Sequence, residues 1–201
     1  MVDWVVSQGV EGASVLDIGG GVGEIGLVLL RRGAASATTL ELSTAYDEPA
    51  AALAAEEGFT GRVHRRIGDI AFDASVADPA DVVVLHRVVC CYPDIERLLA
   101  AAAGHANRAV VLSHPPRSLF FRAGSSLQNA GLRLMRRQYR SYVHSPSEMA
   151  QVLRSCGFAA EHLHRGPVWQ VLVARRVSTD PVHLHAEAEV PLAATPVAGR
   201  A

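Results

Sequence analysis

The sequence predicts an α/β protein: three layers built on a doubly wound, mostly parallel seven-stranded sheet whose last strand is antiparallel. Three observations predict it. Short β-branched runs alternate with longer helical stretches as far as Ser113, the rhythm of a parallel sheet with crossover helices. A glycine-rich turn joins the first strand to the first long helix. Two late strands are separated only by Gly166–Pro167, whereas a parallel crossover needs about a dozen residues, so they form an antiparallel hairpin.

The elements follow in order. Ser14–Ile18 reads as a buried strand and Val22–Arg32 as a helix. Ala37–Glu41 is the second strand, followed by a helix rich in alanine and glutamate over Ala45–Gly58. Arg62–Ile67 is a weaker third strand. Asp81–Leu85 (DVVVL) is apolar without interruption, as a strand covered on both faces must be. Asp94–Ala106 is a helix with Asp94 as its N-cap, and Arg108–Ser113 is the fifth strand. Beyond Pro115–Pro116 the rhythm changes. Residues 118–140 look helical, and Ser147–Cys156 forms a helix capped by Ser145 or Ser147 and ended by Gly157. Ala159–His164 and Val168–Arg175 are the last two strands, with Trp169 most simply in the core.

At 201 residues and 49% hydrophobic content the chain suits one domain, over residues 1–176. Residues 177–201, rich in Ala, Pro and Val and without periodicity, read as a disordered tail. A net charge of −1 creates no global field to recruit nucleic acid or an anionic membrane. All 19 basic residues are arginine, leaving only planar, forked cations to bind anions. Cys90 and Cys91 are adjacent, the third cysteine is Cys156, and no CxxC spacing occurs. The expectation is a reduced cytoplasmic protein without a metal centre. The N-terminus lacks the basic flank and long apolar core of a signal peptide, and no apolar run approaches the roughly 20 residues of a membrane span.

VLDIGGGVGEIG is the most informative stretch. Gly19, Gly21 and Gly23 form D-x-G-x-G-x-G between a strand and a helix, while Gly21, Gly23 and Gly26 also satisfy the G-x-G-x-x-G dinucleotide fingerprint. The glycines alone fit both. Asp17 discriminates, because a carboxylate beside the loop repels a pyrophosphate but suits the ammonium and sulfonium of S-adenosyl-L-methionine. The carboxylate of that cofactor suits the N–H groups of the helix start.

On these motifs the chain, from about residue 12 to 176, resembles the class I S-adenosylmethionine-dependent methyltransferases, whose Rossmann-like sheet carries a reversed seventh strand. The resemblance implies that Asp17, Gly19, Gly21 and Gly23 form the cofactor loop. It implies that Glu41, closing the second strand, accepts hydrogen bonds from the ribose hydroxyls. Asp69 and Ile70, after the third strand, would meet the adenine. Thirteen residues precede the first strand, fewer than the helices that usually close the pocket in this class.

HRVVCCYPD, residues 86–94, follows the fourth strand and should border the transferred methyl, because ligands of such sheets bind beyond the strands' carboxyl ends. The segment resembles that of the magnesium-protoporphyrin O-methyltransferase-like group, with Cys91 where that group has a histidine before Tyr-Pro. The obvious general base is therefore missing. A carboxylate acceptor, ionised at pH 7, needs none, whereas a phenol does. His86, Tyr92 and His144 are the candidate catalytic groups, with His86 also placed against the cofactor. Tyr139 and His114 are further candidates for the pocket wall by location alone.

From Arg97 to Ser147 there is no acidic residue but eight arginines. Within the segment, Phe120, Ala123, Leu127, Ala130 and Leu134 recur at helical spacing, opposed by a stripe holding Arg122, Arg133, Arg136 and Arg140. Residues 117–144 thus read as a helical cap insert, with Arg122, Arg133, Arg136 and Tyr142 set to bind an anionic substrate. A solvated cationic face, or contact with an acidic partner or anionic lipid, is the alternative.

The sequence points to methyl transfer from S-adenosyl-L-methionine to a small-molecule acceptor, on the oxygen of an anionic or aromatic substrate, by a monomer or homodimer. A non-catalytic methyltransferase-like module and an NAD-dependent oxidoreductase are the competing readings. Nucleic-acid methylation is not expected, since the loop after the fourth strand lacks the Asn/Asp-Pro-Pro-Tyr pattern.

Overall fold

The computed structural model describes residues 1–137 and 139–177. Seven strands form one sheet: β1 (Ser14–Ile18), β2 (Ser36–Glu41), β3 (Val63–Ile67), β4 (Ala80–Leu85), β5 (Ala106–His114), β6 (Phe158–Arg165) and β7 (Gln170–Arg176). Their order is β3-β2-β1-β4-β5-β7-β6, with β7 antiparallel to both neighbours and every other pairing parallel. This is the predicted sheet. Its order reverses between β1 and β4, which opens a crevice at their carboxyl ends.

Helices α1 (Val2–Ser7), α2 (Glu24–Arg31), α3 (Asp47–Glu56), α4 (Ile95–His105), α5 (Leu119–Leu134) and α6 (Pro146–Ser155) complete the described fold. Alternation along β4 shows why its sequence is uniformly apolar. Val83 and Leu85 enter the core shared with Leu98, Leu99, Met149 and Leu153 of α4 and α6. Val82 and Val84 enter the opposite core, with Leu27, Leu30 and Val5. The sheet is thus covered on both faces, the condition that favours a parallel arrangement.

Several boundaries move for identifiable reasons. α2 starts at Glu24 rather than Val22 because its N-cap, Gly23, takes the left-handed conformation at φ 85°. Asp94 caps α4 as expected, accepting the Arg97 N–H at 3.0 Å. α6 begins one residue early, with Pro146 in its first turn. The predicted helix over 118–140 stops at Leu134, after which Arg136 adopts φ 53°. The chain then crosses the loop after β4 as a strap, its backbone paired there instead of within a helix: the Tyr142 N–H donates to the Cys90 carbonyl. α1 had no counterpart in the periodicity; six residues are too few to show it.

Trp169 is half-buried rather than in the core, with the Arg87 guanidinium 5.0 Å from its ring centre. Val177, assigned to the tail, is tied back by its N–H to the Gly157 carbonyl. The tail expected over the remaining residues, 178–201, lies outside the described residues. No described helix is long and apolar enough to cross a membrane.

Candidate active site

β1 delivers Asp17 to the crevice, and the chain turns through Gly19–Gly23 into α2. Two glycines are required sterically. A Cβ on Gly19, at φ 66°, would stand 2.5 Å from Val88 Cγ2. One on Gly20 would meet an Asp17 carboxylate oxygen. The loop therefore closes directly over the acid below it.

Asp17 is fully buried, and neither carboxylate oxygen has a hydrogen-bond partner. Burial, and next the negative charge of Glu41, push its pKa up to about 7. Glu41 faces the loop from the end of β2, its Oε1 accepting the Gly21 N–H at 2.5 Å. On the other side of the loop, Arg65 donates to the Gly21 carbonyl at 2.8 Å and to Asp47 at 3.0 Å. The loop is thus held by an acid at its amide and a cation at its carbonyl.

A cavity of about 380 Å³ occupies the crevice. One end is lined by Ile18, Gly19, Gly21, Leu40, Glu41, Leu42 and Tyr46, with Gly68, Asp69 and Ile70 beside them. The other is lined by Arg87, Val88, Cys91, Tyr92, Leu98 and Tyr139. Tyr92 joins the two ends by donating its hydroxyl to Asp69, at 2.9 and 3.1 Å. Burial and the bond to Asp69 push the phenol up to about 12, so Tyr92 is a poor base.

The far end brings the strap onto the loop after β4. Cys91 Sγ lies 3.2 Å from the Tyr139 hydroxyl and 3.7 Å from Cys90 Sγ. Hydrogen bonding from Cys90, aided by Tyr139 and opposed by burial, lowers the Cys91 thiol to about 6. Arg87 is one of two described non-glycine residues with positive φ, at 61°. Its N–H donates to Ser113 Oγ at 2.9 Å, and Trp169 flanks its guanidinium. A strained backbone that holds a cation at a cavity wall is common at functional sites.

Of the residues singled out by sequence, Gly19, Gly21, Glu41, Asp69, Ile70, Cys91, Tyr92 and Tyr139 line this cavity together. Asp17 and Gly23 do not line it; Asp17 lies beneath the loop. The structure does not bring the remaining candidates to the cavity wall. His86 is turned to Ser113 Oγ, 3.0 Å from its Nδ1, and burial followed by the Arg87 charge lowers its pKa. His144 Nε2 is 2.9 Å from the Tyr92 carbonyl, and its ring stacks on Tyr142. His86 thus braces the loop against β5, and His144 braces the strap against the loop. His114 is buried at the end of β5, beside the Pro115 carbonyl.

Arg122, Arg133 and Arg136 are exposed on or just beyond α5, away from the lining. The reason is the way α5 docks. Half-buried Phe121, Ser125, Asn129 and Leu132 face the body, while the apolar stripe and its arginine flank face outward. Sequence reasoning passed over Arg87, Tyr46 and Leu42. For Arg87 the available signal was its place at the start of the loop that follows β4.

The residues at the first end fit S-adenosylmethionine. A buried carboxylate without a partner favours a nearby cationic group, and Glu41 offers a second acceptor oxygen beside the one already bonded. The closely packed loop leaves backbone N–H groups at the start of α2 for a carboxylate.

Comparison with known proteins agrees with this geometry. A family model described as a methyltransferase domain matches residues 6–163. Among solved structures, magnesium protoporphyrin IX methyltransferase (ChlM) from Synechocystis PCC 6803, with bound SAH, shares 23% identity at a TM-score of 0.69. That match covers 88% of this chain and 80% of that one. An O-methyltransferase family protein from Burkholderia thailandensis shares 22% identity at a TM-score of 0.72, over 90% of this chain and 56% of that one. An O-methyltransferase family 2 protein from Planctomyces limnophilus, in complex with apigenin, shares 18% at a TM-score of 0.65, over 83% and 52%. These likenesses show a common fold. No curated protein matches the sequence.

Proposed function

The chain belongs to the methyltransferase domain family, and from that premise we propose that it transfers a methyl group from S-adenosyl-L-methionine to an oxygen of a small anionic or aromatic acceptor. The supporting observation is the continuity of one cavity, with the glycine loop and Glu41 at one end and Arg87, Cys91 and Tyr139 at the other. When bound, the cofactor supplies an electrophilic sulfonium methyl. Asp17 and Glu41 provide the negative charge that favours its cationic portion, and the loop fixes its position. Orientation of a bound nucleophile towards such a methyl is worth roughly 7–11 kcal/mol, more than a general base supplies.

At the acceptor end, Arg87 provides the one cation among the described lining residues, suited to a carboxylate. An ionised carboxylate needs no deprotonation, which matches a wall where Tyr92 is held by Asp69 and both candidate histidines point elsewhere. The same observation favours a second reading, a module that binds the cofactor without turnover.

Calorimetric titration with S-adenosylmethionine, on the parent and on Asp17→Ala and Glu41→Ala, tests the cofactor site. Unchanged affinity in both variants refutes it. Formation of S-adenosylhomocysteine with a panel of aromatic carboxylates and phenols separates enzyme from binding module.

A further inference from the structure

α5 carries a feature that the cavity does not use. Phe120, Leu127 and Leu134 are 83%, 77% and 86% exposed, on the side of the helix turned away from the body. With Ala123 and Ala130 they recur at intervals of three and four from Phe120 to Leu134, a strict heptad seam about 21 Å long. The positions beside the alanines are Gly124 and Gly131. Large residues therefore alternate with gaps that let another backbone approach closely.

We propose that this seam receives an acidic amphipathic helix. The spacing selects the shape of the occupant, because knobs-into-holes packing needs a partner of the same period. The flanks select its charge. Arg122 and Arg133 on α5, and Arg136 just beyond its end, are exposed, and no acidic residue occurs from Arg97 to Ser147 to answer them.

Two other occupants fit less well. A second copy of α5 would bring further arginines and no acid to answer them, since the segment from Arg97 to Ser147 has none. An anionic bilayer rewards bulky apolar side chains along the whole face, whereas every second seam position here is an alanine, Ala123 or Ala130. Small residues are useful against a second helix.

The seam is also connected to the cavity. Asn129, on the inner face of α5, accepts the Ser141 N–H and donates to the Ser141 carbonyl, both at 2.8 Å. Ser141 lies two residues beyond Tyr139, whose hydroxyl meets Cys91 at the cavity wall. A helix seated on α5 would steady the strap that closes the acceptor end.

The test uses the full chain and a synthetic peptide of about three heptads, with leucine at the seam positions and glutamate on the flanks. A second peptide carries lysine on the flanks, and phosphatidylglycerol vesicles and sedimentation of the chain alone complete the set. The acidic peptide should bind saturably and more tightly than the basic one. Leu127→Ser, a change at an exposed position, should weaken it about tenfold or more, corresponding to about 1.4 kcal/mol. The double variant Arg133→Glu, Arg136→Glu should reverse the preference. No saturable binding of the acidic peptide, or equal binding of the basic one, overturns the proposal. So does a Leu127→Ser effect seen only in vesicle retention or in self-association.

Discussion

Cys91 Sγ and the Tyr139 hydroxyl meet at 3.2 Å, joining the loop after β4 to the strap that follows α5. The contact makes a chemical prediction. The thiol is lowered to about 6, most by its bond with Cys90 and further by Tyr139, against burial, while the Cys90 thiol is pushed up. Alkylation by iodoacetamide should therefore fall on Cys91, and its rate should rise as pH passes about 6, well below the ordinary thiol value of about 8.5. In Tyr139→Phe the midpoint should move up, because a donor to the thiolate is gone. Peptide mass spectrometry reads both results. Preferential labelling of Cys90 would contradict the assignment.

Asp17 predicts an unusual stability profile. Its folded pKa of about 7 lies above the ordinary value of 3.8, so between those limits the folded chain holds a proton that the unfolded chain has released. Stability must then fall as pH rises from about 4 to about 7, and level off above. Asp17→Asn removes this contribution, on the order of 2–4 kcal/mol by the shift. Without ligand the variant should unfold at higher urea than the parent at pH 8, with the difference vanishing near pH 4. A constant difference across that range would show that Asp17 is not the group responsible. The parent should bind S-adenosylmethionine more tightly at pH 8 than at pH 6, and Asp17→Asn should lose that dependence.

The sheet was legible because its determinants are local. The apolar run of β4 suits a strand covered on both faces, the short link of residues 166–169 before β7 admits only a hairpin, and Gly19 and Glu41 sit at strand ends that any doubly wound sheet brings together. The acceptor end depends on contacts far apart in sequence. Tyr139 reaches Cys91 across 48 positions, and His144 reaches the Tyr92 carbonyl across 52. α5 was harder still. Periodicity set the apolar stripe against the arginines, yet both face outward, because the inner face is chosen by polar Asn129 and Ser125 bonding Ser141. Arginines read as a substrate clamp are therefore at the surface.

Glu41 and those arginines should behave in opposite ways. Glu41 Oε1 accepts the Gly21 N–H and lines the cavity, so Glu41→Gln should weaken both S-adenosylmethionine and S-adenosylhomocysteine about 10- to 100-fold, the 1.5–3 kcal/mol of a charged hydrogen bond. Arg133→Ala, at an exposed position of α5, should leave both affinities within error. Calorimetry on the two variants decides. Equal losses would mean that the cofactor contacts α5.

Arg87 couples strain to a cation, and the two effects separate by substitution. Its φ of 61° is unfavourable for any side chain by roughly 1 kcal/mol, and glycine alone escapes that cost. Arg87→Ala keeps the strain and loses the stacking on Trp169, worth about 0.5–2 kcal/mol. Arg87→Gly loses the stacking but relieves the strain. Urea unfolding should rank the parent above Arg87→Ala, with Arg87→Gly more stable than Arg87→Ala. Trp169→Ala should lower stability by a similar amount, and the double variant Arg87→Ala, Trp169→Ala should be less destabilised than the sum, since both remove one contact. Full additivity would show that the guanidinium and the indole do not interact. If they do, the strained backbone and the ring together aim the guanidinium at the acceptor end. Arg87→Ala should then raise KM for a carboxylate acceptor while S-adenosylmethionine affinity stays unchanged.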